Sequence, residues 1–127
     1  MEPESPRSGG PLAGMKIFLA EDVWHLADAQ ACALEAAGAT VVGIASTLEA
    51  AERMAGTLAF DAAVMDLNLH GELTNDLVRR LSALGIRVIV ISGYSISPEL
   101  AAEVQACLAK SASNDDIIKA LTMPLRG

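Results

Sequence analysis

Short apolar runs alternate with longer amphipathic stretches along most of this chain, starting at Met15. The runs are rich in valine, isoleucine and alanine, as expected for strands that are buried on both faces. The stretches between them repeat apolar residues at helical spacing. This alternation predicts βα units around a parallel sheet. The predicted strands are Lys16–Ala20, Thr40–Ala45, Ala62–Met65, Ile86–Ile91 and Ala106–Ala109.

Polar residues at the starts of the amphipathic stretches support helices there. A serine followed three positions later by an acidic residue predicts a capping box, and a single serine, threonine or asparagine can also cap a helix. The fourth stretch is brief, so we predict that the fourth helix is short or irregular. The expected helix starts are Ser46 with Glu49, Thr74 or Asn75, Ser97 with Pro98, and Ser113 with Asp116.

Right-handed crossovers between parallel strands favour the sheet order 2-1-3-4-5, with helices on both faces. Ligands of such sheets bind beyond the carboxyl ends of the strands, where neighbouring strands lie ~4.8 Å apart. Glu21 and Asp22 follow the first predicted strand, and Asp66 follows the third. Ser92 and Lys110 follow the fourth and fifth strands. We therefore expect three carboxylates, a hydroxyl and an ammonium group to face one crevice.

Three carboxylates at one edge of a sheet repel each other, by roughly 1 kcal/mol per pair at ~4 Å in water and by more in a partly dry site. A hard divalent cation would offset this repulsion, and Mg2+ prefers oxygen ligands. We expect Asp22 and Asp66 to supply carboxylates, Asn68 to supply its backbone carbonyl, and Glu21 to act through water. The predicted cofactor is therefore Mg2+.

A carboxylate in such a site can also serve as a nucleophile toward phosphorus. Asp66 is the candidate, and the product would be an aspartyl phosphate. In phosphoryl transfer a protein mainly positions groups and stabilises charge. Lys110 and the Ser92 hydroxyl are therefore the expected partners of the phosphoryl oxygens. In the alternative interpretation, Glu21 and Asp22 are ordinary acids of a first helical turn.

The composition fits one domain with an apolar core and restricts its partners. The chain has 127 residues, of which 52% are hydrophobic, and a formal net charge of -7. This charge disfavours nucleic acid, since sequence-independent binding needs clustered lysine and arginine. No apolar stretch approaches the ~20 residues that span a bilayer, and residues 1–14 lack a signal-peptide pattern. We expect a flexible tail at 1–14, one domain at 15–127, a cytoplasmic location and no membrane partner.

Two cysteines, Cys32 and Cys107, lie far apart in apolar segments. This spacing suggests neither a disulfide framework nor a metal cluster. We predict that both are core thiols. The two histidines, His25 and His70, lack metal-ligand spacing and are expected at the surface.

The residues at the predicted strand ends resemble those of the receiver domains of two-component response regulators. The resemblance covers Met15 to about Leu121. Each motif alone is weak, but the four in order at strand ends are specific. They are Glu21-Asp22, Val64-Met65-Asp66-Leu67-Asn68-Leu69, Val90-Ile91-Ser92-Gly93-Tyr94 and Leu108-Ala109-Lys110.

The resemblance implies a flavodoxin-like (βα)5 fold and a stand-alone, single-domain receiver. It implies that Asp66 accepts a phosphoryl group from the phosphohistidine of a sensor histidine kinase. It also implies that Ser92 is drawn inward and that the signal passes to a downstream protein or phosphorelay partner. Such a receiver is not an enzyme, although it assists its own phosphotransfer and dephosphorylation, and we expect a monomer or weak dimer.

Two positions depart from the family pattern. Cys107 stands where receivers usually carry a switch aromatic, so aromatic rotation on the last strand is not available. Ser111 stands where proline usually follows the lysine. A cis peptide before a non-proline residue costs about 3 kcal/mol. We therefore expect the loop after the last strand to have a trans bond, to be displaced or to be mobile, and in the last two cases Lys110 would point away from the crevice. Tyr94 either closes over the crevice or is a semi-exposed ring.

Three functional classes compete at this point. The first is the phosphorylatable signalling module. The second is a phosphorylation-independent adaptor of the same fold, with Cys107 and Ser111 as marks of a degraded switch. The third is a flavin or nucleotide binder, which we rank last. Such proteins need a glycine- or hydroxyl-rich phosphate cradle, whereas the first strand here leads into Glu21-Asp22-Val23.

Overall fold

The main sheet has five parallel strands in a computed structural model that describes residues 10–124. Its order is β2-β1-β3-β6-β7, which confirms the predicted order of the five strands. An antiparallel pair, β4 and β5, lies outside this sheet and was not predicted. The strands are β1 (Lys16–Ala20), β2 (Thr40–Ala45), β3 (Ala62–Asp66), β4 (Asn68–Leu69), β5 (Glu72–Leu73), β6 (Arg87–Ser92) and β7 (Ala106–Ala109).

Five helices cover the two faces of this sheet within the described residues. The fourth has only six residues, as predicted from the little room before β7. Ser97 caps it by accepting from the Leu100 N–H at 3.1 Å, and Pro98 occupies its first turn. The helices are α1 (Trp24–Ala36), α2 (Leu48–Thr57), α3 (Asn75–Ala83), α4 (Pro98–Glu103) and α5 (Asn114–Thr122).

The helix caps agree with the sequence at some starts and differ at others. Ser113 and Asp116 form the predicted capping box of α5. The expected box at Ser46 is wrong by one residue, because Thr47 caps α2 and accepts from the Ala50 N–H. Thr74 precedes α3, but its side chain makes no cap hydrogen bond there. Its hydroxyl is used in the candidate site instead.

Two layers of apolar side chains pack on opposite faces of the sheet. Alternate residues of β1 point to opposite sides, so that Phe18 joins one layer and Ile17 and Leu19 join the other. The two buried strands β1 and β3 are neighbours in the sheet and pair in parallel. The carboxyl ends of these two strands therefore meet at one edge, as the prediction requires.

The N-terminal turn shows a difference from the predicted tail. Residues 1–9 lie outside the described residues, but residues 10–14 form a turn against the domain. Leu12 is buried in the core, and its N–H donates to the Ala37 carbonyl at 2.8 Å. Burial of this leucine explains why the turn packs on the domain although its composition is that of a tail.

Both cysteines are exposed, so the prediction of core thiols is wrong. Cys107 lies on β7, an edge strand whose residues alternate between half-buried and exposed. Cys32 lies on α1, where the buried residues are Ala27, Ala31 and Leu34. Within residues 10–124, no helix is long and apolar enough to cross a membrane.

Candidate functional site

Three acidic side chains meet at the carboxyl edge of the sheet. Glu21 and Asp22 directly follow β1, and Asp66 is the last residue of β3. One carboxylate oxygen from each lies within 4.8 Å of the others. Glu21 is only 2% exposed and Asp66 only 4% exposed. The convergence expected from the strand ends is therefore present.

Lys110 supplies a positive charge to this acidic cluster. Its Nζ lies 2.5 Å from Asp66 Oδ2 and 3.4 Å from Glu21 Oε1. The backbone directs the side chain there, since the Lys110 N–H donates to the Ser92 carbonyl at 3.0 Å. The peptide bond to Ser111 is trans, which is the first of the three expected arrangements. One ammonium group faces three carboxylates, so the cluster keeps an excess of negative charge.

The surroundings shift the pKa values of these groups in different directions. Burial raises the pKa of the Glu21 carboxyl, although the Val23 N–H and Lys110 oppose it. Burial also acts to raise the pKa of Asp22, but hydrogen bonds, chiefly from the His70 N–H, outweigh it and lower that pKa. Burial disfavours charged Lys110, yet Asp66 outweighs it and raises the lysine pKa. Glu21 therefore takes up a proton before Asp22 as pH falls.

Backbone and hydroxyl groups fix the orientation of Asp66. Its Oδ1 accepts from the Asn68 N–H at 2.9 Å, while its Oδ2 faces Lys110. Its carbonyl oxygen accepts from the Thr74 hydroxyl at 2.9 Å, and Thr74 is fully buried. This use of Thr74 was missed, because the sequence signals only a polar residue before a helix.

Replacing Thr74 with valine should lower the free energy of unfolding by about 1–3 kcal/mol, because it leaves the buried Asp66 carbonyl without this donor. Urea denaturation measures the change. Thr57→Val is the matched control, since the exposed Thr57 hydroxyl also donates to a backbone carbonyl, that of Arg53. Equal losses in the two variants would contradict this role of Thr74.

The Ser92 hydroxyl bonds within its own loop. It donates to the Tyr94 carbonyl at 2.8 Å and accepts from the Tyr94 N–H at 3.0 Å. The Tyr94 side chain is 82% exposed, so in this structure the ring is an exposed one at the rim of the site. The sequence correctly located Ser92 at the end of β6, but it did not predict that the hydroxyl bonds to its own loop.

An open cleft of about 700 Å³ lies over the acidic cluster. Two exposed apolar residues also line it, Leu73 in β5 and Tyr94 in the loop after β6. The lining brings together the following predicted site residues: Asp22, Asp66, Asn68, Ser92 and Lys110. Glu21 lies beneath them, where it contacts Lys110.

The donor set fits a hard divalent cation. Glu21, Asp22 and Asp66 offer oxygen atoms close together, and their charge exceeds that of Lys110. Mg2+ takes one or two carboxylates and keeps positions for water and phosphate oxygens. Asn68 lines the same cleft, and its N–H is already bonded to Asp66. The residues present could therefore hold the predicted ion.

No protein-family model and no curated protein matches the sequence significantly. Solved structures do match the fold. The N-terminal domain of a response regulator/sensory box/GGDEF protein from Carboxydothermus hydrogenoformans is 28% identical, with a TM-score of 0.69. The match covers 87% of this chain and 94% of that chain.

Two further structures are similar to this chain. The signal receiver domain of a modulated diguanylate cyclase from Desulfovibrio desulfuricans is 25% identical, with a TM-score of 0.72, over 87% of this chain and 93% of its own. A response regulator from Burkholderia pseudomallei, solved with a phosphorylated aspartic acid, a calcium ion and citrate, is 27% identical, with a TM-score of 0.72. That match covers 84% of this chain and 66% of the other. This chain therefore has the fold of response-regulator receiver domains.

Proposed function

We propose that this domain accepts a phosphoryl group from a sensor histidine kinase on Asp66, in a Mg2+-dependent reaction, and signals through protein contacts. One observation carries the proposal: buried Asp66 lies beside two further carboxylates and 2.5 Å from the Lys110 ammonium group. A purely structural ion pair would need only one of these acids. The accompanying cleft gives a donor group access to Asp66.

The transfer uses the nucleophilicity of the Asp66 carboxylate. A carboxylate oxygen attacks the phosphorus of phosphohistidine, and an oxygen–phosphorus bond forms while the nitrogen–phosphorus bond breaks. The electron pair of the broken bond returns to the ring nitrogen, and the histidine leaves neutral because its other ring nitrogen already carries a proton in the phosphohistidine. Attack of water on the same phosphorus later releases inorganic phosphate and restores Asp66.

Each neighbour of Asp66 has a role in this reaction. Lys110 neutralises charge on the transferring group, and its raised pKa keeps it protonated at neutral pH. Ser92 would bind a phosphoryl oxygen after its hydroxyl leaves the Tyr94 carbonyl. Glu21, Asp22, Asp66 and the Asn68 carbonyl would hold Mg2+, which supplies positive charge to the phosphoryl oxygens when bound.

The proposal includes a cytoplasmic location and output by contact with a downstream protein or a phosphorelay partner. In this interpretation the domain is a phosphoacceptor that assists its own phosphotransfer and dephosphorylation, not an enzyme acting on other molecules. The sensor kinase is identified here by its chemistry, as the donor of a phosphohistidine.

A phosphorylation-independent adaptor is the second candidate. The observation that favours it is the Ser92 hydroxyl, which bonds to its own loop rather than to the acidic cluster. Cys107 also favours an adaptor, because it occupies the position at which receivers usually carry the switch aromatic. An adaptor would bind its partner equally well before and after exposure to a phosphodonor.

Phosphotransfer profiling tests the proposal. Each sensor kinase of the source organism is first labelled on its histidine with radioactive phosphate and then mixed with the domain and Mg2+. We expect rapid movement of label from one or a few kinases to the domain. If no kinase transfers label while a control receiver is labelled, the adaptor is favoured.

The pH dependence of Mg2+ binding is a further prediction. Because burial raises the pKa of Glu21, protonation of this carboxyl should weaken Mg2+ binding at a higher pH than for an ordinary glutamate. Trp24 is the single tryptophan and lies two residues after Asp22, so its fluorescence can report Mg2+ binding in titrations at several pH values. Glu21→Gln should bind more weakly at neutral pH and depend less on pH. The same pH dependence in both proteins would contradict this role.

A further inference from the structure

Apart from the Asn68 carbonyl, the reaction above assigns no role to the β4–β5 hairpin. Asn68 pairs with Leu73 and Leu69 with Glu72, so His70 and Gly71 form a two-residue loop. Both have positive φ, 53° at His70 and 88° at Gly71. Positive φ at both central positions is typical of the tight turn that suits the twist of a hairpin. His70 is the one non-glycine residue between 10 and 124 with positive φ.

Hydrogen bonds of this loop connect two of the three acids of the site, Asp22 and Asp66. The His70 N–H donates to Asp22 Oδ2 at 2.9 Å. The Gly71 N–H donates to Asn68 Oδ1 at 2.7 Å, and the Asn68 N–H donates to Asp66 Oδ1 at 2.9 Å. The hairpin therefore bonds to Asp66 through its first residue, Asn68, and to the Asp22 carboxylate through its turn.

We propose that this hairpin is a positioning element that holds Asp22 in the orientation needed for Mg2+; the inference rests on the proposed function. Asp22 needs such a partner because Glu21 and Asp66 repel it, while Lys110 pairs with those two acids. Its side chain is 19% exposed, so rotation toward water is open to it. The His70 N–H opposes that rotation.

The backbone of His70, rather than its imidazole, makes the main contact. The ring Nδ1 lies 3.8 Å from Asp22 Oδ2, and the His70 side chain is 61% exposed. An ion pair so exposed contributes little. His70→Gly should therefore keep Mg2+ affinity within about twofold of the original, since glycine retains the N–H and accepts positive φ readily.

Gly71→Val tests the positioning role against a matched control. A β-branched residue strongly resists positive φ, so this variant should distort the turn. Gly85 also has positive φ, 86°, and like Gly71 has open space where a Cβ would lie. It precedes β6, at the edge of the sheet opposite the site. Gly85→Val therefore carries the same backbone strain without touching Asp22.

Mg2+ titration by Trp24 fluorescence and calorimetry gives the affinity, and thermal denaturation gives the stability. We expect both valine variants to lose similar stability, but only Gly71→Val to lose Mg2+ affinity, by roughly tenfold, the lower end for groups that orient a metal ligand. Asn68→Ala is the alternative test variant if Gly71→Val does not fold. It removes the acceptor of the Gly71 N–H, leaves both backbone groups of residue 68, and should weaken Mg2+ binding several-fold.

The outcomes separate this inference from the proposed function. Suppose that the original protein binds Mg2+ and that Gly71→Val and Asn68→Ala both bind it as tightly as Gly85→Val. The hairpin then has no positioning role, and the proposed function stands. If the original protein takes up no Mg2+, the metal site and the inference both fail. If His70→Gly loses as much Mg2+ affinity as Gly71→Val, the imidazole of His70 rather than its N–H orients Asp22. That result would overturn the role of the backbone.

Discussion

Replacement of Asp66 with asparagine should abolish covalent phosphorylation of the domain. An amide oxygen is a far poorer nucleophile toward phosphorus than a carboxylate, and the amide cannot form the acyl phosphate. The change is nearly isosteric, so Asn68 and Thr74 keep their places around residue 66. Intact-mass spectrometry after incubation with acetyl phosphate and Mg2+ should show one added phosphoryl group in the original protein and none in Asp66→Asn.

Asp61→Asn is the matched control for that loss. Asp61 is exposed, precedes β3 and lies at the opposite end of the same strand from Asp66. Its Oδ2 accepts from the Lys16 N–H, away from the acidic cluster. This variant should be labelled like the original protein. Undiminished labelling of Asp66→Asn would show that another residue accepts the phosphoryl group and would overturn the assignment.

Lys110→Met should have the second-largest effect. The variant keeps most of the aliphatic chain but leaves Asp66 and Glu21 without their cationic partner. We expect the rate of labelling to fall by at least about 10²-fold, the usual cost of removing a group that stabilises the transition state. Time courses of acetyl phosphate labelling measure this rate.

The same variant should lose stability in the absence of divalent ions. Breaking a buried ion pair costs about 3–5 kcal/mol, and because the Lys110 side chain is 38% exposed we expect only about 2 kcal/mol. The raised pKa of Lys110 means that this stabilisation is complete at neutral pH and is lost only as pH rises through that pKa. Urea denaturation with and without Mg2+ measures the loss, and Mg2+ should reduce it.

Lys119→Met is the control for both measurements, since Lys119 is an exposed residue on α5. It should be labelled at the original rate and unfold at the original urea concentration. A normal labelling rate in Lys110→Met would assign Lys110 a purely structural role.

The sequence predicted the central sheet because its strands carry strong local signals. Apolar runs such as Ile17–Ala20 favour burial in a sheet, and an acidic residue directly after such a run indicates the end of a strand. The positions of Glu21, Asp22 and Asp66 follow from that rule. The rule places these residues at the carboxyl edge of the sheet, but it does not predict the orientations of their side chains.

Side-chain orientations and the two-residue strands could not be predicted in this way. Each strand of the β4–β5 hairpin has two residues, too few for an alternating pattern to show. The Ser92 hydroxyl can bond to its own loop or to a ligand, and the sequence does not distinguish these two arrangements. The exposure of Cys107 depends on β7 being at the edge of the sheet, which leaves part of an apolar-looking strand open to water.

The most direct test of the account is a peptide map of the original protein after incubation with acetyl phosphate, in Mg2+ and in a divalent chelator. The account predicts a single phosphoryl group on the peptide that contains Asp66, formed in Mg2+ and nearly absent with chelator. Labelling at the same level without divalent ions, or no label on that peptide in Mg2+, would contradict it.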